Sequence, residues 1–210
     1  MVRVKICGMT NEEDLRLAQE LGADYAGFIF YPPSPRSVEP ARVREMVRKA
    51  KAAEGRTSLV GVFVDEGIPT VRRIFEECGL DIVQLHGAES PEYCHELDLP
   101  YWKAVRVKNI SSLLELDRFP HAAFLLDAFA DGSYGGSGQR IPPDAAQKAI
   151  SRGFRIIVAG GISAENLPEI LTLRPFAVDA CSSLEERPGK KSEFKMRAFF
   201  QIFQELRGRL

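Results

Sequence analysis

The chain has 210 residues, 45% of them hydrophobic, with 28 basic and 29 acidic side chains and a formal net charge of −1. That balance predicts an ordinary soluble globule with ample apolar surface to bury, and it gives no reason to expect a nucleic-acid partner. No apolar run reaches the roughly 18 residues of a membrane span and none follows Met1, so no membrane association and no leader are expected, and a cytoplasmic protein beginning at Met1 is the reading.

From the amino terminus onward, short apolar runs alternate with longer segments of helical period. Strands are predicted at residues 2–6, 25–30, 58–64, 81–85, 101–107, 123–127, 155–159 and 177–180. Helical segments follow them at 11–21, 40–53, 69–78, 91–97, 110–117, 142–152, 164–173 and 193–207. Thr10 and Glu13 have capping-box spacing ahead of the stripe Leu15, Leu17, Ala18 and Leu21. Ser90-Pro91 reads as an N-cap followed by a first-turn proline, and Pro40, Pro69 and Pro142 stand at comparable starts. Gly22, Gly55 and Gly79 each follow a helical run, where a left-handed residue commonly ends the helix.

Repeated βα units without a composition break predict one catalytic domain over residues 1–210, of the α/β class: a single (β/α)8 TIM barrel. Parallel strands need both faces covered, and closure leaves no exposed sheet edge. An open doubly wound sheet is the rival architecture. It usually carries a phosphate-binding glycine loop after its first strand, whereas Lys5-Ile6-Cys7-Gly8 leads to a helix without a G-x-G-x-x-G run.

A barrel concentrates its chemistry at the C-terminal ends of the strands. Cys7 ends the first strand, with Val2, Val4 and Ile6 on the helix-facing side and Lys5 and Cys7 on the inner side. Cys7 reads either as a small buried hydrophobe or, if an ammonium lies nearby, as a thiolate base. Asp127 follows the apolar run Ala123-Phe124-Leu125-Leu126, so it reads as a loop-capping carboxylate or as a partly desolvated acid able to donate a proton. Arg36, between Pro35 and Ser37, is either a solvated cation or a planar fork for a carboxylate. His86 is a hydrogen-bonded loop residue with a possible binding role. After the last two strands come Gly160-Gly161 and Ser182-Ser183, whose small side chains suit either tight turns or backbone contact with a phosphate. The Gly135-Gly136-Ser137-Gly138 segment is a linker or a substrate-covering loop. Cys7, Cys78, Cys94 and Cys181 lack zinc or redox-dithiol spacing, and His86, His95 and His121 are scattered, so reduced thiols and no metal are expected.

In order along the chain, Lys5-Ile6-Cys7-Gly8-Met9-Thr10, Ser34-Pro35-Arg36, Val83-Gln84-Leu85-His86-Gly87, Leu126-Asp127 with the 135–138 loop, Ala159-Gly160-Gly161-Ile162 through Asn166, and Pro188-Gly189-Lys190-Lys191 resemble the phosphoribosylanthranilate isomerase family. The resemblance implies a cofactor-free and metal-free Amadori rearrangement in tryptophan biosynthesis, turning a phosphoribosyl aminoaldose into an aminoketose. It implies Asp127 as general acid toward the ribose ring oxygen and Cys7 as general base at sugar C2, with Arg36 on the anthranilate carboxylate. His86 joins the substrate-binding set, and the backbone around Gly160, Gly161, Ser182 and Ser183 would hold the phosphate. Five positions in three segments depart from the family pattern. The chain reads Asp179-Ala180-Cys181-Ser182-Ser183 where the family has Asp-Val-Ser-Ser-Gly; Ser192 replaces an aspartate; and Ser137 replaces a threonine. If the lost glycine served a positive φ, Ser183 would strain its turn. Two other readings stand beside this one: a dual-specificity or histidine-pathway aminoimidazole ribonucleotide isomerase, against which Cys7 and the short chain argue, and a noncatalytic barrel binding a sugar phosphate. No heptad or apolar stripe marks an interface, so monomer and homodimer are both open.

Overall fold

The computed structural model describes residues 1–50, 57–119, 122–128 and 141–207. Its strands are β1 (Arg3–Cys7), β2 (Tyr25–Ile29), β3 (Ser58–Phe63), β4 (Ile82–Leu85), β5 (Tyr101–Val107), β6 (Ala123–Ala128), β7 (Arg155–Val158) and β8 (Ala177–Ala180). They form a closed parallel barrel in chain order, with β8 paired back onto β1 through Val4↔Val178, Lys5↔Asp179 and Ile6↔Ala180. Helices α1 (Glu12–Leu21), α2 (Pro40–Ala50), α3 (Ile68–Cys78), α4 (Pro91–Leu97), α5 (Pro143–Ser151), α6 (Leu167–Thr172) and α7 (Glu193–Arg207) connect or follow them. After β8, a 3-10 turn at Ser182–Leu184 leads into a small antiparallel hairpin of β9 (Glu185–Arg187) and β10 (Lys190–Lys191). No helix among the described residues is long and apolar enough to cross a membrane.

Alternation along each strand divides the apolar residues into two cores. On β6, Phe124 and Leu126 join the shell between barrel and helices, whereas Ala123 and Leu125 pack inside the barrel. Val2, Val4 and Ile6 likewise belong to the shell. The inner core closes the lower end: Tyr25 meets Trp102 edge-on at 4.8 Å, Trp102 meets Phe176 at 6.5 Å, and Arg3 donates to the Tyr25 hydroxyl at 2.7 Å. With that end filled, the inner-face polar residues one or two layers higher, Lys5, Cys7, Asp127 and Asp179, are left for the upper end.

The predicted helix starts and stops hold at several points. The Ser90 hydroxyl accepts from Tyr93 N ahead of Pro91, and Gly22 and Gly79 end α1 and α3 at φ +88° and +60°. Pro40 opens α2, Pro69 lies in the first turn of α3, and Pro142 precedes α5. Gly55 and the far end of the predicted 40–53 helix lie outside the described residues. Two details differ from expectation. The segment after β5, Ile110–Arg118, is a 3-10 helix, and its first turn is held by the Asn109 and Ser112 side chains bonding local backbone, a habit of short polar side chains that competes with the α-helix. The cap of α1 is Asn11, not Thr10: Asp14 N donates to Asn11 Oδ1 at 2.9 Å, while the Thr10 hydroxyl donates instead to the Gly189 carbonyl of the hairpin turn.

That hairpin matters because it delivers side chains to the top of the barrel, and Asp14 fastens it. The buried Asp14 carboxylate accepts from Lys191 N at 2.7 Å, from Lys190 Nζ at 2.9 Å and from Asn11 Nδ2 at 2.7 Å. Asp14→Ala leaves a buried strand amide without its acceptor, and a loss of about 2–3 kcal/mol in unfolding free energy is expected, read as a lower urea midpoint.

Candidate active site

Cys7, Arg36, His86, Asp127, Gly160, Gly161, Ser182 and Ser183, the eight residues expected from sequence to serve a site, all line one cleft at the C-terminal ends of the strands. They come from β1, the loop after β2, the loop after β4, β6, the loop after β7 and the turn after β8. Hydrogen bonds at the cleft join residues as far as 174 apart in sequence.

The thiol of Cys7 sits in a positive environment. Lys5, fully buried one layer below, places Nζ 3.0 and 3.1 Å from the two carboxylate oxygens of Asp179, its register partner on β8. Burial opposes the Lys5 charge, but Asp179 and Cys7 more than offset it and push its pKa up. The Cys7 thiol is held well below its ordinary pKa, first by a hydrogen bond from the Cys181 thiol and then by Lys5 and Lys191, against the opposing effect of burial. Cys181, as the donor of that bond, is pushed in the other direction. Asp179 rises to about 7 because burial outweighs the pull of Lys5. Glycine on β2 makes this crowding feasible: a Cβ on Gly27 would lie 2.8 Å from Cys7 Sγ and 3.1 Å from Lys5 Nζ.

Across the cleft, Asp127 is buried, with Oδ1 accepting from Ala128 N at 2.9 Å. His86 Nδ1 lies 2.9 Å from Gln84 Nε2, so with the amide as donor the ring carries its proton on Nε2. That nitrogen faces Asp127 Oδ2 at 3.5 Å, too long for a strong hydrogen bond. Among the described residues, His86 Nε2 and Gln84 Oε1 are buried with no hydrogen-bond partner, so the cleft presents two unmet polar atoms beside the carboxyl.

The Arg36 fork is partly occupied. Its Nε and Nη2 grip the buried Glu185 carboxylate at 2.8 to 3.1 Å, and Lys191 Nζ joins at 3.0 Å. Burial alone would raise the Glu185 pKa, but Arg36 and Lys191 hold it below the usual carboxylate range. Two of the five guanidinium N–H groups are therefore engaged, and the rest can meet another acceptor. Gly160 and Gly161 turn at φ +84° and +61°, values that favour glycine. Asn166 shapes this loop, accepting from Ser163 N at 2.9 Å and donating to the Gly161 carbonyl at 2.8 Å. Ser183 carries no strain of the expected kind. Outside glycine, positive φ among the described residues occurs at Asp65, Asp98 and Arg174, and the Ser183 hydroxyl instead donates to the Ile162 carbonyl, tying the two loops together. The 135–138 loop, including Ser137, and His121 lie outside the described residues.

Sequence reasoning missed Glu185, Gln84 and the roles of Asp179 and Lys191. Parity offered a signal for Asp179, which shares the inner face with Ala177 just as Lys5 does with Cys7. Glu185 had none, because its partners are remote in sequence.

Fold and cleft together define a (β/α)8-barrel protein in which an activated thiol, a buried carboxyl, a cationic fork and a double-glycine turn converge on one ligand space. Comparison with known proteins narrows the class. The family model described as N-(5'phosphoribosyl)anthranilate (PRA) isomerase matches residues 4–202. An N-(5'-phosphoribosyl)anthranilate isomerase of Pelobacter propionicus is 40% identical over 208 residues, covering 99% of this chain and 98% of that protein. The crystal structure of phosphoribosyl anthranilate isomerase from Thermus thermophilus superposes with a TM-score of 0.88 at 40% identity, over 98% of this chain and 100% of that one. A structure of the isomerase in complex with reduced 1-(o-carboxyphenylamino)-1-deoxyribulose 5-phosphate gives a TM-score of 0.84 at 32% identity, over 98% and 100%. The chain belongs to the phosphoribosylanthranilate isomerase family.

Removing the Lys5 charge tests the electrostatics of the thiol. In Lys5→Met, the pH midpoint for alkylation of Cys7 by iodoacetamide is expected to move up by about one unit or more, the scale of a lost neighbouring charge, and an unmoved midpoint would show that Lys5 does not hold the thiolate.

Proposed function

We propose that the chain isomerises N-(5-phosphoribosyl)anthranilate to 1-(2-carboxyphenylamino)-1-deoxyribulose 5-phosphate, a step of tryptophan biosynthesis, by acid–base catalysis from Asp127 and Cys7. The observation that carries this reading is the convergence of those two side chains, one from β6 and one from β1, on a single cleft in a chain of this family. The whole chain serves as one catalytic domain.

The chemistry follows from what each group can give or take. Asp127 donates a proton to the ribose ring oxygen as the C1–O bond breaks and the anthranilate nitrogen lone pair forms a protonated imine. His86 Nε2, pointing at the carboxyl, stabilises the carboxylate that remains. The imine acidifies the C2 proton, which the Cys7 thiolate removes, and the electrons flow into the C1–N unit to give an enolamine. Tautomerisation yields the ketone. Each proton has a side chain in the cleft to donate or accept it, so the scheme calls for neither metal nor cofactor. Arg36 meets the anthranilate carboxylate with the N–H groups that Glu185 leaves, and the latter pair fixes the plane of the fork. The phosphate lies at Gly160, Gly161, Ser182 and Ser183, where backbone amides can approach an anion closely; those of Gly160 and Gly161 donate to no other described residue. The partner is this small phosphoribosyl molecule and not a nucleic acid or membrane, and the protein acts in the cytoplasm as a monomer or homodimer, a choice supported by the Thermotoga maritima isomerase, described as dimeric and also solved as monomers.

Freshly prepared phosphoribosylanthranilate mixed with purified protein should lose its anthranilate fluorescence at a rate proportional to enzyme. Asp127→Asn and Cys7→Ser are each expected to lower turnover by at least about two orders of magnitude with unchanged circular dichroism. Near-normal rates in either variant would reject its role. Arg36→Ala is expected to raise KM strongly for this substrate and to affect an analogue lacking the carboxylate much less; equal losses would give Arg36 another task.

A further inference from the structure

The mechanism uses one thiol of the cleft and leaves a second beside it. Cys7 ends β1 and Cys181 follows β8, one step beyond the Ile6↔Ala180 register pair. Neighbouring strands run roughly 4.8 Å apart, inside the Cα separation a disulfide spans. Both cysteines are reduced and line the same cleft. Glycines leave each thiol room, Gly27 on the β2 side of Cys7 and Gly8 beside Cys181. A Cβ on Gly27 would press on Cys7 Sγ at 2.8 Å, and one on Gly8 would stand 3.1 Å from Cys181 Sγ. Lys191 Nζ lies 3.9 Å from Cys181 Sγ and Lys5 stands behind Cys7, so the pair is flanked by two buried ammonium groups. The other two thiols, Cys78 and Cys94, lie in the outer shell and have raised pKa values of about 11 through burial.

We propose that Cys7 and Cys181 form a peroxide-reactive pair that closes reversibly to a disulfide, placing the reaction under redox control. The Cys7 thiolate attacks one oxygen of hydrogen peroxide, the O–O bond breaks, and the departing hydroxide takes a proton to leave as water. Cys7 is then a sulfenic acid. The Cys181 thiol gives up its proton and attacks the sulfenic sulfur, forming the S–S bond and releasing a second water. Peroxide is reduced by two electrons and the two thiols are oxidised by two. The neighbouring thiol intercepts the sulfenic acid before it reaches the irreversible sulfinic state. Closing of the pair stands on geometry alone; loss of isomerase activity rests in addition on Cys7 acting as the base.

The test treats the full chain with a small excess of hydrogen peroxide, blocks remaining thiols with N-ethylmaleimide, and digests without reduction. Mass spectrometry is expected to find the Cys7 and Cys181 peptides linked, lighter by two hydrogen atoms than the separate peptides, with isomerase rate falling at least about tenfold and returning on addition of dithiothreitol. In Cys181→Ser, compared with its own untreated rate, no linked peptide forms and Cys7 proceeds under prolonged exposure to sulfinic acid that dithiothreitol does not reduce. Oxidation of wild-type Cys7 without the linked peptide overturns the pair, whether or not the variant folds. A linked peptide with undiminished turnover overturns the redox control and leaves the disulfide standing; equal recovery of wild type and variant removes Cys181 from the protective role.

Discussion

Closure of β8 onto β1 is the constraint on which the cleft depends. The hydrogen bonds of this last strand pair set Lys5 against Asp179 at 3.0 Å and bring the turn after β8 beside Cys7. A buried ion pair of this kind contributes little net stability, because desolvating two charges offsets most of their attraction. Its effect is local. It fixes a positive charge beneath the thiol, in a low-dielectric interior where that charge acts strongly. An open sheet with the same strands would have left Lys5 and Asp179 on opposite edges.

The second organising element is the hairpin that follows β8. It is held from below by Asp14 of α1 and carries Glu185 and Lys191 into the cleft rim, where they complete a buried network with Arg36. One carboxylate shared by two cations leaves the network with net positive charge, suited to an anionic substrate. The fork of Arg36 is thereby held in one orientation by the protein's own groups. On the opposite side, Gln84 sets the His86 ring toward Asp127, so Cys7 and Asp127 each have neighbours that fix their surroundings.

Family membership and geometry support one another because they speak to different things. The comparisons place the chain among enzymes that rearrange a phosphoribosylated anthranilate. The structure gives reasons: a thiol with stabilised thiolate, a carboxyl buried in reach of the same space, and glycines whose backbone turns toward it. The Ser183 departure from the family pattern is accommodated because its hydroxyl finds the Ile162 carbonyl and its φ stays in an ordinary range.

The repeat of eight βα units let the sequence by itself determine the barrel and set Asp127 at a strand end, and strand parity placed Lys5 and Cys7 inward, since a period of two assigns every residue a face without knowledge of its neighbours. Helix ends at Ser90, Gly22 and Gly79 were legible for the same reason: caps are local chemistry. Tertiary structure alone decided that Thr10 would desert the helix for Gly189, that Arg36 would share its fork with Glu185, and that Cys181 would stand beside Cys7. Those partners lie 149 to 179 residues apart, and no local rule reaches across such separations. Only after the eighth strand pairs with the first do their distances, and therefore their charges and proton affinities, acquire values.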